Sequence, residues 1–401
     1  MGEKTATGDE NASHGRLFLP SLVFSNFSTG ALPLLVSLLL IDIGATFNLS
    51  EGVTGQMSTS YYGAAVVFAL LMGALSIRYG HRKLLLAGLL LTAVSAIGCY
   101  LAPEFQTMTA CYALSGVGVP MVLPMAVTLV GEHFPIRRRA SILGFVVAGA
   151  SLVYFVGAPW IAYVANSSGW RLAILAFPIP VSLAGFALAW VGLRSIQNSS
   201  HHSDDGRSYK RGFGEVLSNR SALACLIGNF FRSSSFAAIL LYSASFGRQT
   251  FSHSRGTASI VMLSAALCYT LGSLTCGMMV AKFGRKKSTV LSALLAGAFT
   301  IAFVFAPHEL LYVAALFTGC WFFGTGASSA QSLSLEQVPK LRGTMMSLDS
   351  AALNLGSAVG AAVGGLVLTA YGYGGLGTIL GTMGLAAALV FGIFARDPTR
   401  S

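Results

Sequence analysis

Twelve apolar stretches, each close to the length of a bilayer crossing and parted by short polar breaks, run from residue 17 to residue 395. A helical crossing takes roughly 20 apolar residues. The approximate crossings are 17–43, 54–77, 84–102, 107–130, 140–164, 170–192, 221–246, 256–280, 288–306, 310–335, 343–369 and 375–395. Only 10% of the 401 residues are charged and 54% are hydrophobic, whereas about a quarter of a soluble domain is charged. Soluble domains, disorder, coiled coil and a disulfide scaffold are thereby excluded. The expected fold class is an all-α polytopic membrane protein.

A net charge of +11 would suggest a nucleic-acid partner in a soluble protein. The placement of the basic residues gives another account. With the N-terminus in the cytoplasm, 21 of the 25 lysines and arginines fall on internal segments, and outside lie only Arg171, Arg248 and Arg255. The positive-inside rule then sets the orientation and an even number of crossings. The expected location is the inner (plasma) membrane, multi-pass, with both termini cytoplasmic, the bilayer as the surface partner and no nucleic acid. The first 16 residues are polar, and no cleavable signal peptide is visible.

One long polar break, residues 193–220, separates six crossings from six. The expected organisation is therefore a tail (1–16), a six-helix bundle (17–192), a cytoplasmic linker (193–220), a second six-helix bundle (221–395) and a tail (396–401). The halves also align. Gly73, Gly80, Arg82 and Lys83 recur as Gly277, Gly284, Lys286 and Lys287, each 204 residues later. Glu132, Pro135 and Arg138 recur as Glu336, Pro339 and Arg342 at the same offset. A parallel repeat of this kind relates two bundles by a pseudo-twofold axis along the membrane normal and places a central cavity between them. Alternating access follows from that architecture.

The loop from Gly73 to Lys83 (Gly73, Gly80, Arg82, Lys83) and its echo from Gly277 to Lys287 resemble the glycine, acid, glycine, basic-pair signature of the major facilitator superfamily. Together with Gly169-Trp170-Arg171, they make the chain similar to members of that family that export drugs and sugars by proton antiport. The resemblance covers Leu17 to Ala395. It implies that the loops act as gates, with Gly73, Arg78, Gly80, Arg82, Lys83, Glu132, Gly277, Gly284, Arg285, Lys286 and Glu336 as the gating residues. The chain departs from the pattern in three places. Ile77 and Ala281 stand where the family usually has an aspartate, Tyr112 replaces an exporter arginine, and Gly157-Ala158-Pro159 replaces a Gly-Pro pair.

Charges within a bilayer are expensive and functional by default, and two lie deep. Arg232 stands eleven residues after Ser221, about 16 Å into helix 7 and near the midplane of a roughly 30 Å core. Two readings of it stand: it binds a substrate anion, or it pairs with a protein carboxylate. Asp349 stands six residues after Gly343, about 9 Å into helix 11. Helices 7 and 11 are neighbours in the family, so the resemblance implies an Arg232–Asp349 pair that breaks when substrate or a proton arrives. Asp349 and, less deeply placed, Asp42 are the proton-coupling candidates. Asn229, Asn26, Tyr154, Tyr269, Asn354 and Trp321 complete the expected substrate-binding set with Arg232.

The expected function is secondary transport of a small organic solute, anionic or aromatic, by alternating access as a monomer, with proton-coupled efflux placed first. The alternatives are an importer or uniporter, or a transporter-like sensor that does not transport. No Walker loop, nucleophile elbow or zinc motif is present. The chain is thus expected to be no enzyme and to carry no cofactor or metal. The six cysteines read as packing residues.

Overall fold

The computed structural model describes residues 17–134, 136–194 and 206–397, and they fold as helices joined by short turns. The expected N-terminal tail, residues 1–16, lies outside the described residues, as do Pro135, 195–205 and 398–401. The first helical run is built from three pieces, α1 (Phe18–Thr29), α2 (Ala31–Leu38) and α3 (Leu40–Thr46), of which the apolar crossing is Phe18–Leu38. Pro33 follows the first break and has no N–H to offer the carbonyl of Thr29, so the ladder cannot run through. The remaining helices of the first half are α4 (Glu51–Tyr79), α5 (His81–Leu101), α6 (Phe105–His133), α7 (Ile136–Ala176) and α8 (Pro178–Gly192). Then come α9 (Gly206–Ser218), α10 (Arg220–Thr250), α11 (Arg255–Phe283), α12 (Arg285–Val304), α13 (Glu309–Leu335) and α14 (Arg342–Ile393).

Among the described residues, nine helical stretches are long and apolar enough to cross a membrane. Two of them, Gly149–Gly192 and Thr344–Ile393, are about twice the length of one crossing. Each folds back at a glycine with positive φ, Gly169 at 83° and Gly372 at 66°. The reversal shows in the packing. The Phe177 ring closes on Gly157, and Leu376 and Leu380 close on Gly364, across their respective turns. With α4 the crossings number twelve, and the chain is a multi-span helical membrane protein.

The repeat is visible in the helix starts. Helices α4, α5 and α6 begin at Glu51, His81 and Phe105, and α11, α12 and α13 at Arg255, Arg285 and Glu309, each 204 residues later. Gly80 (φ 73°) and Gly284 (φ 86°) form the equivalent turns, in a region that disfavours any residue with a Cβ. Helix contacts recur too. Gly149 lies on the Val23 carbonyl and Gly356 on that of Phe230, Gly116 on that of Tyr61 and Gly324 on that of Tyr269. In lipid such small residues are what let backbones touch. At Gly277, by contrast, no atom lies within 4 Å of where a Cβ would be, so it makes no close helix approach.

The stretch expected to be a polar linker is partly helical. Helix α9 lies within it, with Val216 buried and Gly212 against Thr344 and Leu341. Below, "basic end" means the end of the molecule with the Gly80 and Gly284 turns, and "Asp42 end" the opposite one.

Candidate functional site

Helix α10 carries the central charge. Asn219 caps its start, its side chain accepting from the N–H groups of Ser221 and Ala222 at 3.0 and 3.1 Å. The helix therefore begins at the basic end, and Arg232 falls deep inside it, 7% exposed. Hydroxyls hold α10 to α14: Ser233 to Ser357 at 2.7 Å, and Ser234 to the Gly356 carbonyl at 2.8 Å. Asp349 of α14 thereby comes to lie near Arg232, but the two do not pair directly. Asn229 stands between them. Arg232 Nε donates to Asn229 Oδ1 at 3.2 Å, and Asn229 Nδ2 donates to Asp349 Oδ1 at 2.6 Å. Ser334 Oγ donates to the same carboxylate oxygen at 3.2 Å. The expected ion pair is thus replaced by an amide relay, because Asn229 sits one turn before Arg232 on the face turned to Asp349.

This relay leaves reactive atoms over. Neither Nη1 nor Nη2 of Arg232, nor Oδ2 of Asp349, has a hydrogen-bond partner among the described residues. Both residues line a cavity of about 270 Å³ with Asn229, Phe236, Tyr269 and Gln331. Gln331 is exposed, four residues from the basic end of α13, and marks the cavity's rim. A second chamber of about 230 Å³ adjoins it and shares Phe236 and Tyr269, whose rings stack at 5.3 Å. Its walls are mainly apolar. Among the described residues, Ala150, Ser151 and Tyr154 of α7 supply its lining from the first half. A guanidinium fork at one end of an aromatic-walled space suits a small organic anion.

The Asp42 end is sealed. The Asp42 carboxylate binds two arginines of the other half, Arg248 at 2.6 Å and Arg255 at 2.6 Å. Arg255 also donates to the Ala165 carbonyl and to Asn166 Oδ1 at 3.3 and 3.2 Å. Glu51 accepts from Gln249 and Tyr373, and Gln56 donates to the Ala362 carbonyl. Gly52 and Gly365 let α4 and α14 touch along this seam: a Cβ on either would meet the other's carbonyl oxygen.

Of the expected binding residues, Arg232, Asn229, Tyr269 and Tyr154 come together around the two chambers. Three do not. Asn26 is spent on the Val146 carbonyl at 2.8 Å, tying α1 to α7. Asn354 donates to the carbonyl of Ser350, one turn back. Trp321 is not among the residues lining either chamber, and its carbonyl packs on Gly272. Asp42, expected as a proton site, is held by its two arginines. Among the gating residues, Arg285 and Glu336 pair at 3.9 Å, the Lys286 N–H reaches Asp397 at 3.4 Å, Lys83 is exposed, and Arg82 Nε is buried with no hydrogen-bond partner among the described residues. The surroundings of Gly73 and the side chains of Arg78 and Glu132 lie outside the described residues.

Sequence reasoning missed Arg248, Arg255, Glu51 and Gly52 as parts of one closure. The available signal was charge: two of the three outside arginines stand at the ends of adjacent crossings, with Asp42 at the same level.

Twelve crossings in two equivalent halves around a charged central cavity define a membrane carrier. Residues 19–254 and 244–401 match the Major Facilitator Superfamily, and the chain belongs to that family of secondary transporters, which are not enzymes. It is 23% identical over 377 residues to the uncharacterized MFS-type transporter YwfA of Bacillus subtilis, covering 94% of this chain and 91% of that one. It is 24% identical to a gentisate transporter of Corynebacterium glutamicum, covering 87% of this chain and 81% of the relative. To a cis,cis-muconate transport protein of Acinetobacter baylyi the identity is 21%, with 92% and 91% covered. The fold matches a crystal structure of a D-xylose-proton symporter with a TM-score of 0.78 at 17% identity, over 95% of this chain and 98% of the other.

Proposed function

We propose that the protein is a proton-coupled carrier of a small organic carboxylate, acting as a monomer in the plasma membrane with the basic end in the cytoplasm. The carrying observation is the Arg232 guanidinium, which lines the cavity and whose two terminal nitrogens have no hydrogen-bond partner among the described residues. Gentisate and muconate, named for two relatives, are both carboxylates. The positive-inside rule supports the orientation. Under it the sealed Asp42 end corresponds to an inward-open form. One chain suffices, since both halves contribute to the chambers.

The relay argues for symport. A proton on Asp349 Oδ2 removes the negative charge nearest Arg232 and leaves the guanidinium free for a substrate anion. Proton and carboxylate then favour each other's binding and travel together. An inward proton gradient would drive uptake by this coupling, in place of the efflux expected from the exporter resemblance.

The test is exchange in proteoliposomes. Labelled gentisate should enter faster when the outside is acidified, and neutral D-xylose should not compete. Competition by xylose equal to that by unlabelled gentisate would overturn the carboxylate reading. Asp349→Asn should bind substrate and support counterflow, yet lose the acid stimulation seen in wild type. The same pH profile in both proteins would remove Asp349 from proton coupling.

A further inference from the structure

The second chamber holds polar groups that the anion anchor does not use. The hydroxyls of Tyr154 and Tyr269 have no hydrogen-bond partner among the described residues, although both line this mainly apolar space. Both residues are half-buried, and a phenol hydroxyl open to such a chamber is a donor and an acceptor available to a ligand. The two are also arranged in sequence from the anchor: Tyr269 lies within electrostatic reach of Arg232, and Tyr154 within reach of Tyr269. Tyr269 belongs to both chambers, so a molecule with its carboxylate on Arg232 would lie against the Tyr269 and Phe236 rings and point its far end at Tyr154.

That far end meets no charge among the described residues. Among the described residues, the lining of the second chamber contains Ser151, Tyr154, Ser243, Tyr269 and Cys320 as its polar groups, and no lysine, arginine or histidine. A second carboxylate there would be buried without a counter-charge, which is strongly unfavourable. An uncharged hydroxyl or carbonyl would instead satisfy the phenol.

We infer that Tyr154 is the specificity-determining residue for the end of the substrate remote from its carboxylate, and that the preferred substrates are aromatic or conjugated carboxylates with an uncharged hydroxyl or carbonyl group there. This rests on the carboxylate reading given above. Tyr154 lies on α7, in the half opposite Arg232, so such a substrate touches both halves at once. A site built to hydrogen-bond a substrate hydroxyl discriminates strongly against an analogue that lacks it.

The experiment is equilibrium binding to the full chain in lipid nanodiscs, with 4-hydroxybenzoate, benzoate, terephthalate and benzyl alcohol as probes. In wild type, 4-hydroxybenzoate should bind about tenfold tighter than benzoate or terephthalate, the size of one net hydrogen bond. Tyr154→Phe keeps the ring and removes a hydroxyl that makes no hydrogen bond among the described residues, so the fold should be unaffected. It should bring 4-hydroxybenzoate down to the benzoate affinity while leaving benzoate unchanged. Equal affinities for 4-hydroxybenzoate and benzoate in wild type, or an undiminished preference in Tyr154→Phe, would overturn the role of Tyr154 and leave the carboxylate reading standing. Benzyl alcohol binding as tightly as benzoate would overturn the carboxylate reading itself.

Discussion

Arg232→Ala should lower carboxylate affinity and transport by about 100-fold, through loss of a charge-assisted two-point contact of ~3 kcal/mol in a desolvated site. The variant should nevertheless fold. Removing one member of a buried ion pair commonly destabilises by roughly 3–5 kcal/mol because the other charge is stranded. Here, however, the carboxylate of Asp349 is already bonded to Asn229 and Ser334 and needs no salt link to Arg232 for its hydrogen bonds. Arg232→Ala combined with Asp349→Asn removes both charges and should match wild type in thermal stability while remaining inactive. Arg232→Lys keeps a positive charge but replaces the planar fork by a point donor, and should recover only part of the affinity. Isothermal titration with 4-hydroxybenzoate and counterflow of the same compound check the series. Near-normal affinity in Arg232→Ala, with intact thermal stability, would remove the guanidinium from the site.

How far the sequence could be read depended on the range of the interaction involved. The crossings and the repeat follow from local composition and spacing, and the structure carries both; Arg232, placed deep by its spacing, is buried within α10. The turn glycines Gly80 and Gly284 were legible because a tight reversal needs positive φ. The reversals at Gly169 and Gly372 are the same physics, yet each lies within a stretch whose apolar character hardly falters. Side-chain partnerships were harder. Asn26, Asn229 and Asn354 are chemically identical at similar depth, but one binds a distant carbonyl, one relays two charges and one folds back on its own helix. Helix rotation decides among those outcomes, and crossings of nearly uniform hydrophobicity carry little information about rotation. The Asp42 closure was hidden for another reason. Its members lie 206 and 213 residues apart, so only the meeting of the two halves reveals it.

That closure yields the second large effect. Gly52→Leu should hold the Asp42 end open and abolish transport while substrate binding persists. A Cβ at Gly52 would collide with the Gly365 carbonyl and Thr369 Oγ1, and the carbonyl is backbone that no rotamer change can move aside. The helices α4 and α14 must therefore part along the seam. Overpacking a tight contact costs roughly 1–3 kcal/mol, and ~3 kcal/mol shifts the ratio of closed to open forms about 100-fold. The electrostatic latch does not compensate, because its ion pairs form only when the seam is shut. Nor does pH release it in wild type. Asp42 lies beyond the first apolar crossing, Phe18–Leu38. Burial there pushes its carboxyl up, but the hydrogen bonds and charges of Arg248 and Arg255 outweigh this and hold it below its ordinary value of 3.8. A depressed carboxyl contributes its stabilisation above the ordinary pKa and loses it only as pH falls through the depressed one, so between about pH 5 and 8 the latch stays charged. Opening is read with Ser37→Cys, a position buried in the closed form beside Leu240. An impermeant maleimide added from the Asp42 side should label it in the Gly52→Leu background and spare it otherwise. Asp42→Asn should give a weaker version of the same result, since it removes the charge but not the glycine seam. Unchanged protection and full transport in Gly52→Leu would mean that the seam does not have to close tightly during the cycle.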